Sequence, residues 1–316
     1  MIHEEFLWVE KYRPKTVEET VLPKSIKKIL QGFVDQKDIP TLLLSGTPGV
    51  GKTTVAKAML DELGCDYIMI NGSLEGRLID TLRIRIEPFA STVSFNGKRK
   101  YVIIDEADYM NRSSVQPALR NFIEHYSDNC GFILTCNSKN RLISALHSRN
   151  PVIEFKIPSE EREDIAKQFF KRGCQVLEAE NVEYDKAALA AVIKKFFPDF
   201  RRIIGELQNY ASIEKKIDTG ILTNLSDINL DNLVRLLKEK DFTNLRRWVT
   251  ENADIDPVEL FTSFFDHAEK YLKSKSDCAV LVLLLGKYQY QSAFALNQEI
   301  NTMSFLVDVM TECNFE

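Results

Sequence analysis

One eight-residue segment combines glycines with a lysine and a hydroxyl at the spacing that binds nucleotide phosphates: G-T-P-G-V-G-K-T, residues 46–53. Glycines let backbone N–H groups close around phosphate oxygens, and the N-terminus of the following helix adds a favourable dipole. The Lys52 ammonium would reach the β- and γ-phosphates, and the Thr53 hydroxyl would be a ligand of Mg²⁺. Because the segment lies between an apolar run, Thr41–Leu44, and a predicted helix, Thr54–Leu63, it predicts a nucleotide site.

A pair of acids follows the apolar run Tyr101–Ile104, where the letters read Asp-Glu-Ala-Asp. A strand that ends in Asp places a carboxylate at the carboxyl edge of a parallel sheet, beside the phosphate loop. We therefore expect Asp105 to hold Mg²⁺ through water and Glu106 to polarise the attacking water. The same letters occur in DEAD-box helicases, which need a second RecA-like domain and a Ser-Ala-Thr motif after the next strand. Here the next strand ends in Cys136-Asn137 and the later chain is helical, which excludes a helicase.

Two further polar residues follow apolar runs. Asn137 ends the run that begins at Phe132, where it could orient the water or contact the γ-phosphate. Arg149 precedes the last short run, a position normally at a surface. Taken alone, an arginine there is a solvated charge.

The hydrophobic pattern divides the chain into three regions, which we take as domains: 1–156, 157–220 and 221–316. In the first, short apolar runs alternate with helical stretches, which predicts an α/β domain with a parallel sheet covered on both faces. The second and third have helical spacing of apolar residues throughout. The predicted helices of the third region are Asp231–Lys240, Asp241–Ala253, Asp256–Ser274, Asp277–Leu296 and Gln298–Asn314.

Composition narrows the class of protein. The chain of 316 residues has 41 basic and 46 acidic side chains, a net charge of −5, which excludes binding of nucleic acid through bulk positive charge. Its longest apolar run, Cys278–Leu285, is far shorter than the ~20 residues of a membrane-spanning helix. The N-terminus lacks the layout of a signal peptide, and six cysteines without a CxxC pair fit reduced thiols. We therefore expect a cytoplasmic protein.

At the N-terminus, L-W-V-E-K-Y-R-P at residues 7–14 completes a set of motifs that runs in order through the phosphate loop, the acidic pair, Asn137, Ser148-Arg149 and P-D-F-R-R at residues 198–202. In this order the chain resembles the AAA+ clamp-loader ATPases, in particular replication factor C small subunits. It looks most like the clamp-loader large subunits of T-even-type bacteriophages. The resemblance covers residues 6–210 and implies an AAA+ RecA-like domain, a small helical lid and an all-α collar that mediates oligomerisation.

The resemblance also implies roles for particular residues. Arg201 would reach the γ-phosphate from the lid of its own subunit, whereas Arg149 would enter the site of the neighbouring subunit. Asn150 departs from the family pattern, which usually has Cys there, but that position does no chemistry. Spacing alone leaves open whether Arg201 or Arg202 points inward. The residues implied at the adenine and the phosphates are Val9, Glu10, Lys11, Tyr12, Val21, Gly49, Val50, Gly51, Lys52, Thr53 and Thr54.

The implied function is that of the ATPase subunit of a replication clamp loader, which uses ATP and Mg²⁺. ATP binding would open and hold the clamp, and primer–template DNA would trigger hydrolysis and release of the clamp onto DNA. The implied partners are a sliding clamp, a small loader subunit, further copies of the chain in a hetero-pentameric ring, and primer–template DNA bound through its backbone. Residues 77–120 contain eight basic and five acidic side chains, although the net charge of the whole chain is negative. Arg77, Arg112 and Arg120 are the candidate DNA contacts in that stretch.

Two alternatives remain at the level of the sequence. One is a different AAA+ machine, such as a branch-migration motor or an initiator, which usually ends in a winged-helix or helix-turn-helix domain. Against it, residues 221–316 are acidic, with 15 acids and 9 bases, and are bundle-like. The other is a ring subunit that binds nucleotide without hydrolysing it. Against it stands the intact set of Lys52, Asp105, Glu106, Asn137, Arg149 and Arg201.

Overall fold

The structure, a computed structural model, describes residues 6–74, 80, 82–94, 97–147, 150–221, 230–253 and 255–315. Its chain divides into two compact units, Met1–Leu222 and Thr223–Glu316. None of the helices among the described residues has the length and apolar character needed to cross a membrane.

A parallel sheet forms the centre of the first unit. Its strands are β1 (Leu42–Ser45), β2 (Tyr67–Asn71), β3 (Lys100–Asp105), β4 (Cys130–Cys136) and β5 (Val152–Glu154). They lie in the order β2-β3-β4-β1-β5, with every neighbouring pair parallel. Because the chain leaves β1 for the far edge of the sheet, the loop after β1 lies at a topological switch point, where open α/β sheets bind their ligands.

Apolar side chains cover both faces of this sheet, as the alternation along a strand requires. Ile103 and Ile133 pack with Leu30 and Met59 on one face. Their neighbours along the strands, such as Val102 and Phe132, pack in the cluster on the opposite face. The α-helices up to residue 147 that have both ends among the described residues are α1 (Trp8–Lys11), α2 (Lys24–Asp35), α3 (Lys52–Leu63), α4 (Glu87–Ala90), α5 (Val115–His125) and α6 (Ser144–His147).

In the first unit, three α-helices with both ends among the described residues follow β5: α7 (Arg162–Ala179), α8 (Lys186–Phe196) and α9 (Phe200–Glu214). Carboxylates cap two of them, because an Asp at the N-cap accepts backbone N–H groups that lack a helical partner. Asp185 accepts the N–H groups of Ala187 and Ala188, and Asp199 accepts that of Arg202 at 3.0 Å. Two short parallel strands, β6 (Glu183–Tyr184) and β7 (Lys216–Ile217), pair beside these helices.

The described residues of the second unit are mainly helical. They form α10 (Leu230–Glu239), α11 (Phe242–Glu251), α12 (Pro257–Tyr271), α13 (Lys275–Ser292) and α14 (Gln298–Glu312). Phe305 is fully buried at the centre of one apolar cluster, where the rings of Phe261, Phe264 and Tyr288 meet it edge-on.

The strands and helices that the hydrophobic pattern predicted lie within a few residues of their observed bounds. The run predicted at Thr41–Leu44 is the strand Leu42–Ser45, and the helix predicted at Asp256–Ser274 spans Pro257–Tyr271. The helix after the phosphate loop begins at Lys52 rather than at Thr54. It begins earlier because Gly51, with φ of 92°, already completes the turn of the loop.

Candidate active site

The phosphate loop connects β1 to α3 at the carboxyl edge of the sheet, and Lys52 lies inside it. The ammonium donates to the carbonyl oxygens of Gly46 at 2.7 Å and Thr47 at 2.8 Å. A third bond, of 3.0 Å, goes to Asn137 Oδ1 at the end of β4. Burial lowers the pKa of the Lys52 ammonium, and the Asp105 carboxylate opposes that shift. Since an ammonium has three protons, a phosphate oxygen would compete with these acceptors for them.

Asp105 lies at the end of β3, and one oxygen of its carboxylate accepts hydrogen bonds from two hydroxyl groups. Thr53 and Thr135 each donate to Asp105 Oδ1 at 2.6 Å. The Glu106 backbone N–H donates to the Thr135 hydroxyl at 3.1 Å. Thr53 belongs to the phosphate loop and Thr135 to β4, so the hydrogen bonds connect the acidic pair to both neighbouring segments of the site.

The residues at this point fit a magnesium ion. Thr53 Oγ1 and the Asp105 carboxylate are adjacent oxygen donors, and Mg²⁺ prefers oxygen ligands. Such an ion is usually held by one or two protein groups together with substrate phosphates and water. Within the described part of the chain, no group of three or more His, Cys, Asp or Glu side chains could hold a metal ion without other ligands. The donor set therefore fits an ion bound together with a nucleotide.

Asn137 is held in place by the fourth residue of the acidic run. The Asp108 carboxylate, which is buried, accepts the backbone N–H groups of Asn137 at 3.3 Å and Ser138 at 3.2 Å. The Asn137 side-chain oxygen also accepts a hydrogen bond from the Lys52 ammonium, so both Asp108 and Lys52 hold the end of β4.

These groups open into a cavity of about 340 Å³. At its apolar side the rings of Phe169 and Phe200 stack with centroids 4.4 Å apart. Val176 and Ile204 extend that surface, which suits the flat face of a nucleotide base. The lining residues that the sequence predicted are Val9, Tyr12, Val21, Gly49, Gly51, Lys52, Thr53, Thr54, Asp105, Glu106, Asn137 and Arg201.

The N-terminal segment borders this cavity because α7 and α9 hold it there. Arg172 donates to the Tyr12 carbonyl at 3.0 Å, and the Tyr12 hydroxyl donates to Glu180 at 2.6 Å. On α9 the buried Gln208 accepts the Trp8 N–H at 2.9 Å and donates to the Phe6 carbonyl at 2.8 Å. The helices after residue 160 therefore position the part of the chain that precedes α2.

The two neighbouring arginines of α9 lie in different surroundings. Arg201 lines the cavity. Arg202 lies over the ring of Phe196, 4.4 Å from its centroid, and pairs with Glu206 at 3.8 Å. The choice that spacing left open is thus decided by the geometry of α9.

Some predicted residues have other partners or lie elsewhere. Glu10 pairs with Arg13, and this bond lowers the pKa of the Glu10 carboxyl. Lys11 pairs with Glu180 at 2.8 Å, and Val50 is buried in the core. Their roles at the nucleotide stay predictions.

Of the four arginines predicted to contact a neighbouring subunit or DNA, the structure describes two. Arg149 and Arg77 lie outside the described residues. Arg112 is exposed before α5, and Arg120 pairs with Glu124 at 3.5 Å on the same helix.

Sequence reasoning missed four residues that belong to the site: Arg13, Thr135, Asp108 and Arg172. Arg13 lines the cavity and donates to the Thr54 hydroxyl at 3.0 Å. Its place directly after Tyr12 in the N-terminal motif was a signal that could have identified it. Thr135 precedes Cys136-Asn137 at the end of an apolar strand, and a hydroxyl there was a similar signal. Arg172 lies within an ordinary amphipathic helix, where nothing local distinguishes it.

Three family models match consecutive or overlapping parts of the chain. The model described as "ATPase family associated with various cellular activities (AAA)" matches residues 42–157. The model of the lid domain of the sliding-clamp-loader large subunit, an AAA+ ATPase, matches residues 161–223. A third, the Rad17 P-loop domain, matches residues 2–80.

Individual proteins extend the similarity over most of the chain. The sliding-clamp-loader large subunit of Enterobacteria phage T4 is 38% identical over 247 residues, which are 77% of this chain and 76% of that protein. The replication factor C small subunit of Archaeoglobus fulgidus is 38% identical over 68% of this chain and 67% of its own length. Among solved structures, a point mutant of RuvB from Thermotoga maritima has a TM-score of 0.53 at 21% identity, covering 72% of this chain and 80% of that one. At this identity the structural likeness shows a shared fold.

Proposed function

The chain belongs to the sliding-clamp-loader ATPases of the AAA+ family, and from that premise we propose how its residues bind and hydrolyse ATP. It is an ATP-hydrolysing subunit of a clamp loader in DNA replication, and it works in a complex with a sliding clamp and other loader subunits. The assignments of residues, cofactor, ring and DNA that follow are proposals.

ATP with Mg²⁺ is the proposed ligand of the 340 Å³ cavity. The backbone of residues 49–54 surrounds the phosphates, and the Thr53 hydroxyl and the Asp105 carboxylate hold the ion. When bound, Mg²⁺ neutralises charge on the phosphate oxygens. The single observation that carries this proposal is the convergence of Lys52, Thr53, Asp105 and Asn137 through hydrogen bonds of 3.0 Å or less.

Hydrolysis of ATP needs positioned water and stabilised charge rather than covalent chemistry. Glu106 polarises the attacking water, and Asn137 orients it. The Lys52 ammonium and the Arg201 guanidinium stabilise negative charge on the transferred phosphoryl group. Support for Arg201 comes from its place in the lining of the cavity.

Assembly would complete the site. We propose that the chain works with a small loader subunit and further copies of itself in a hetero-pentameric ring. Arg149 of one copy would enter the site of its neighbour. A trans-acting arginine of this kind raises kcat by a factor of about 10³–10⁵. Hydrolysis would then depend on how the subunits are arranged, and the clamp and primer–template DNA would stimulate it by completing that arrangement.

Primer–template DNA is the proposed ligand of the basic stretch between residues 77 and 120. Contacts from Arg77, Arg112 and Arg120 to phosphates would position the duplex without reading its sequence. The exposure of Arg112 supports this proposal.

Three functional domains are proposed: a nucleotide-binding domain (1–156), a lid (157–220) and a collar that mediates oligomerisation (221–316). The start of the second compact unit at Thr223 supports the later boundary. Relatives encoded by phages support a place in the cytoplasm of a host cell.

Replacing Glu106 by Gln tests the proposed mechanism. The variant keeps the shape of the side chain but loses its carboxylate, so it should bind ATP normally and hydrolyse it about 10²–10⁴ times more slowly. The measurement is steady-state ATP hydrolysis by the assembled loader, with and without a clamp and primed DNA, beside a binding titration with a fluorescent ATP analogue. Normal turnover by Glu106→Gln would contradict the role of Glu106. If the wild-type rate of ATP hydrolysis did not change on adding primed DNA and clamp, the proposed stimulation by these partners would be contradicted.

A further inference from the structure

The Thr135 hydroxyl lies between the two acids of the site and contacts both residues. It donates to Asp105 Oδ1 at 2.6 Å and accepts the Glu106 backbone N–H at 3.1 Å. Thr135 is 1% exposed, so water does not compete for either bond. One hydroxyl therefore connects the end of β4 to both acidic residues at the end of β3.

Nothing in the strand itself requires a hydroxyl at this position. β4 is buried along its whole length, and Val would supply the same branched shape and a strong preference for strands. A buried hydroxyl costs free energy unless it is hydrogen-bonded, and both bonds of Thr135 go to the acidic pair. The hydroxyl thus matters for the placement of Asp105 and Glu106.

Hydrogen bonds hold both acidic residues in place. Asp105 Oδ1 accepts the Thr53 hydroxyl as well as that of Thr135, and two donors on one oxygen restrict rotation of the carboxylate. Glu106 has φ of 54°, in the left-handed region. Residues other than glycine seldom adopt this conformation. The bond from its N–H to Thr135 helps to hold it.

We propose that Thr135 is a positioning residue for ATP hydrolysis. Its hydroxyl orients the Asp105 carboxylate toward the site of Mg²⁺, and it holds the Glu106 backbone so that the Glu106 side chain can polarise the attacking water. The inference rests on the proposed function, because it uses the roles given there to Asp105 and Glu106. Phosphoryl transfer is sensitive to such placement, since a displacement of about 1 Å can lower the rate about 10²-fold.

The test compares three variants of the full chain. Thr135→Val removes the hydroxyl and keeps the branched shape, whereas Thr135→Ser keeps the hydroxyl. Leu134→Val, at the adjacent buried position, removes one methylene group without touching a hydrogen bond and serves as the control for lost stability. Thermal unfolding of all three shows that each is folded at the assay temperature.

Two readouts separate positioning from a general structural effect. In the assembled loader with clamp and primed DNA, Thr135→Val should lower kcat about 10- to 100-fold and change KM far less. In the chain by itself, a fluorescent ATP analogue should bind as in wild type with EDTA, and the gain in affinity on adding Mg²⁺ should shrink at least threefold. Thr135→Ser should stay within threefold of wild type in both assays, and Leu134→Val should match wild type.

Unchanged kcat and unchanged magnesium dependence in folded Thr135→Val would overturn the proposal. Equal losses in Thr135→Ser and Thr135→Val would also overturn it, because shape rather than the hydroxyl would then matter. Failure of the proposed function is a different result, since the wild-type loader itself would then lack hydrolysis that responds to DNA and clamp.

Discussion

Arg201 and Arg202 are neighbours on α9, and one step along a helix turns a side chain by about 100°. Arg201 therefore lines the cavity while Arg202 lies over Phe196 and pairs with Glu206. Both side chains are largely exposed, so each could be replaced without opening a hole in the core. The pair offers a matched comparison between an arginine of the site and an arginine of the surface.

Replacing Arg201 by Ala should slow ATP hydrolysis by about 10²-fold, because charge that develops on the phosphoryl group loses a cation. Arg202→Ala should hydrolyse ATP within about threefold of wild type, since surface ion pairs contribute little. Steady-state rates of the two variants in the assembled loader measure the difference. An equal loss in both variants would contradict the assignment of Arg201 to the γ-phosphate.

At the scale of elements, the start of α9 lies directly against the phosphate loop. The Phe200 N–H donates to the Gly49 carbonyl at 3.2 Å. A Cβ atom added at Gly49 would overlap Asp199 Oδ1, an oxygen of the carboxylate that caps α9. Gly49 also has φ of 76°, in the region that favours glycine. The loop and the helix can therefore approach this closely only with glycine at residue 49.

Gly49→Ala should weaken binding of nucleotide by about tenfold, because a residue with Cβ in the left-handed region costs about 1–2 kcal/mol. Its control is Gly205→Ala on α9, where an added Cβ meets no atom within 4 Å. That variant should bind as wild type and gain about 0.5–1 kcal/mol in the free energy of unfolding. Titration with a fluorescent nucleotide and thermal unfolding measure both effects. Wild-type affinity in Gly49→Ala would show that the loop tolerates a side chain there.

For the whole molecule, the distribution of charge matters more than its total. Residues 221–316 contain 15 acids and 9 bases, whereas residues 1–220 contain 31 acids and 32 bases. A net charge of −5 therefore does not argue against DNA as a ligand of the first 220 residues. The proposed ring adds a second property of the whole assembly, because each site would take Arg149 from a neighbouring copy.

Arg149→Ala should leave binding of ATP unchanged and abolish the stimulation of hydrolysis by DNA, a loss of about 10³-fold or more. In loaders assembled from mixed wild-type and variant copies, the defect should appear in the site next to the variant. Single-turnover hydrolysis separates the two sites when the Arg149→Ala copy also carries Glu106→Gln, because only the sites of the wild-type copies can then hydrolyse ATP. A defect confined to the variant's own site would rule out action in trans.

The amino-acid sequence by itself determined the phosphate loop, the acidic pair, the family and the approximate bounds of the elements predicted from its hydrophobic pattern, because these depend on patterns within short stretches of chain. Val9, Asp105 and Asn137 could each be proposed as site residues from a local motif. The contacts among them could not, since Thr135 and Asp105 are 30 residues apart and meet only because β4 lies beside β3. That Arg201 rather than Arg202 lines the cavity, that Thr135 supports Glu106 and that Asp108 supports Asn137 is visible only in the tertiary structure. Strand order, register and the direction of a helix set these contacts, and no spacing along the chain encodes them.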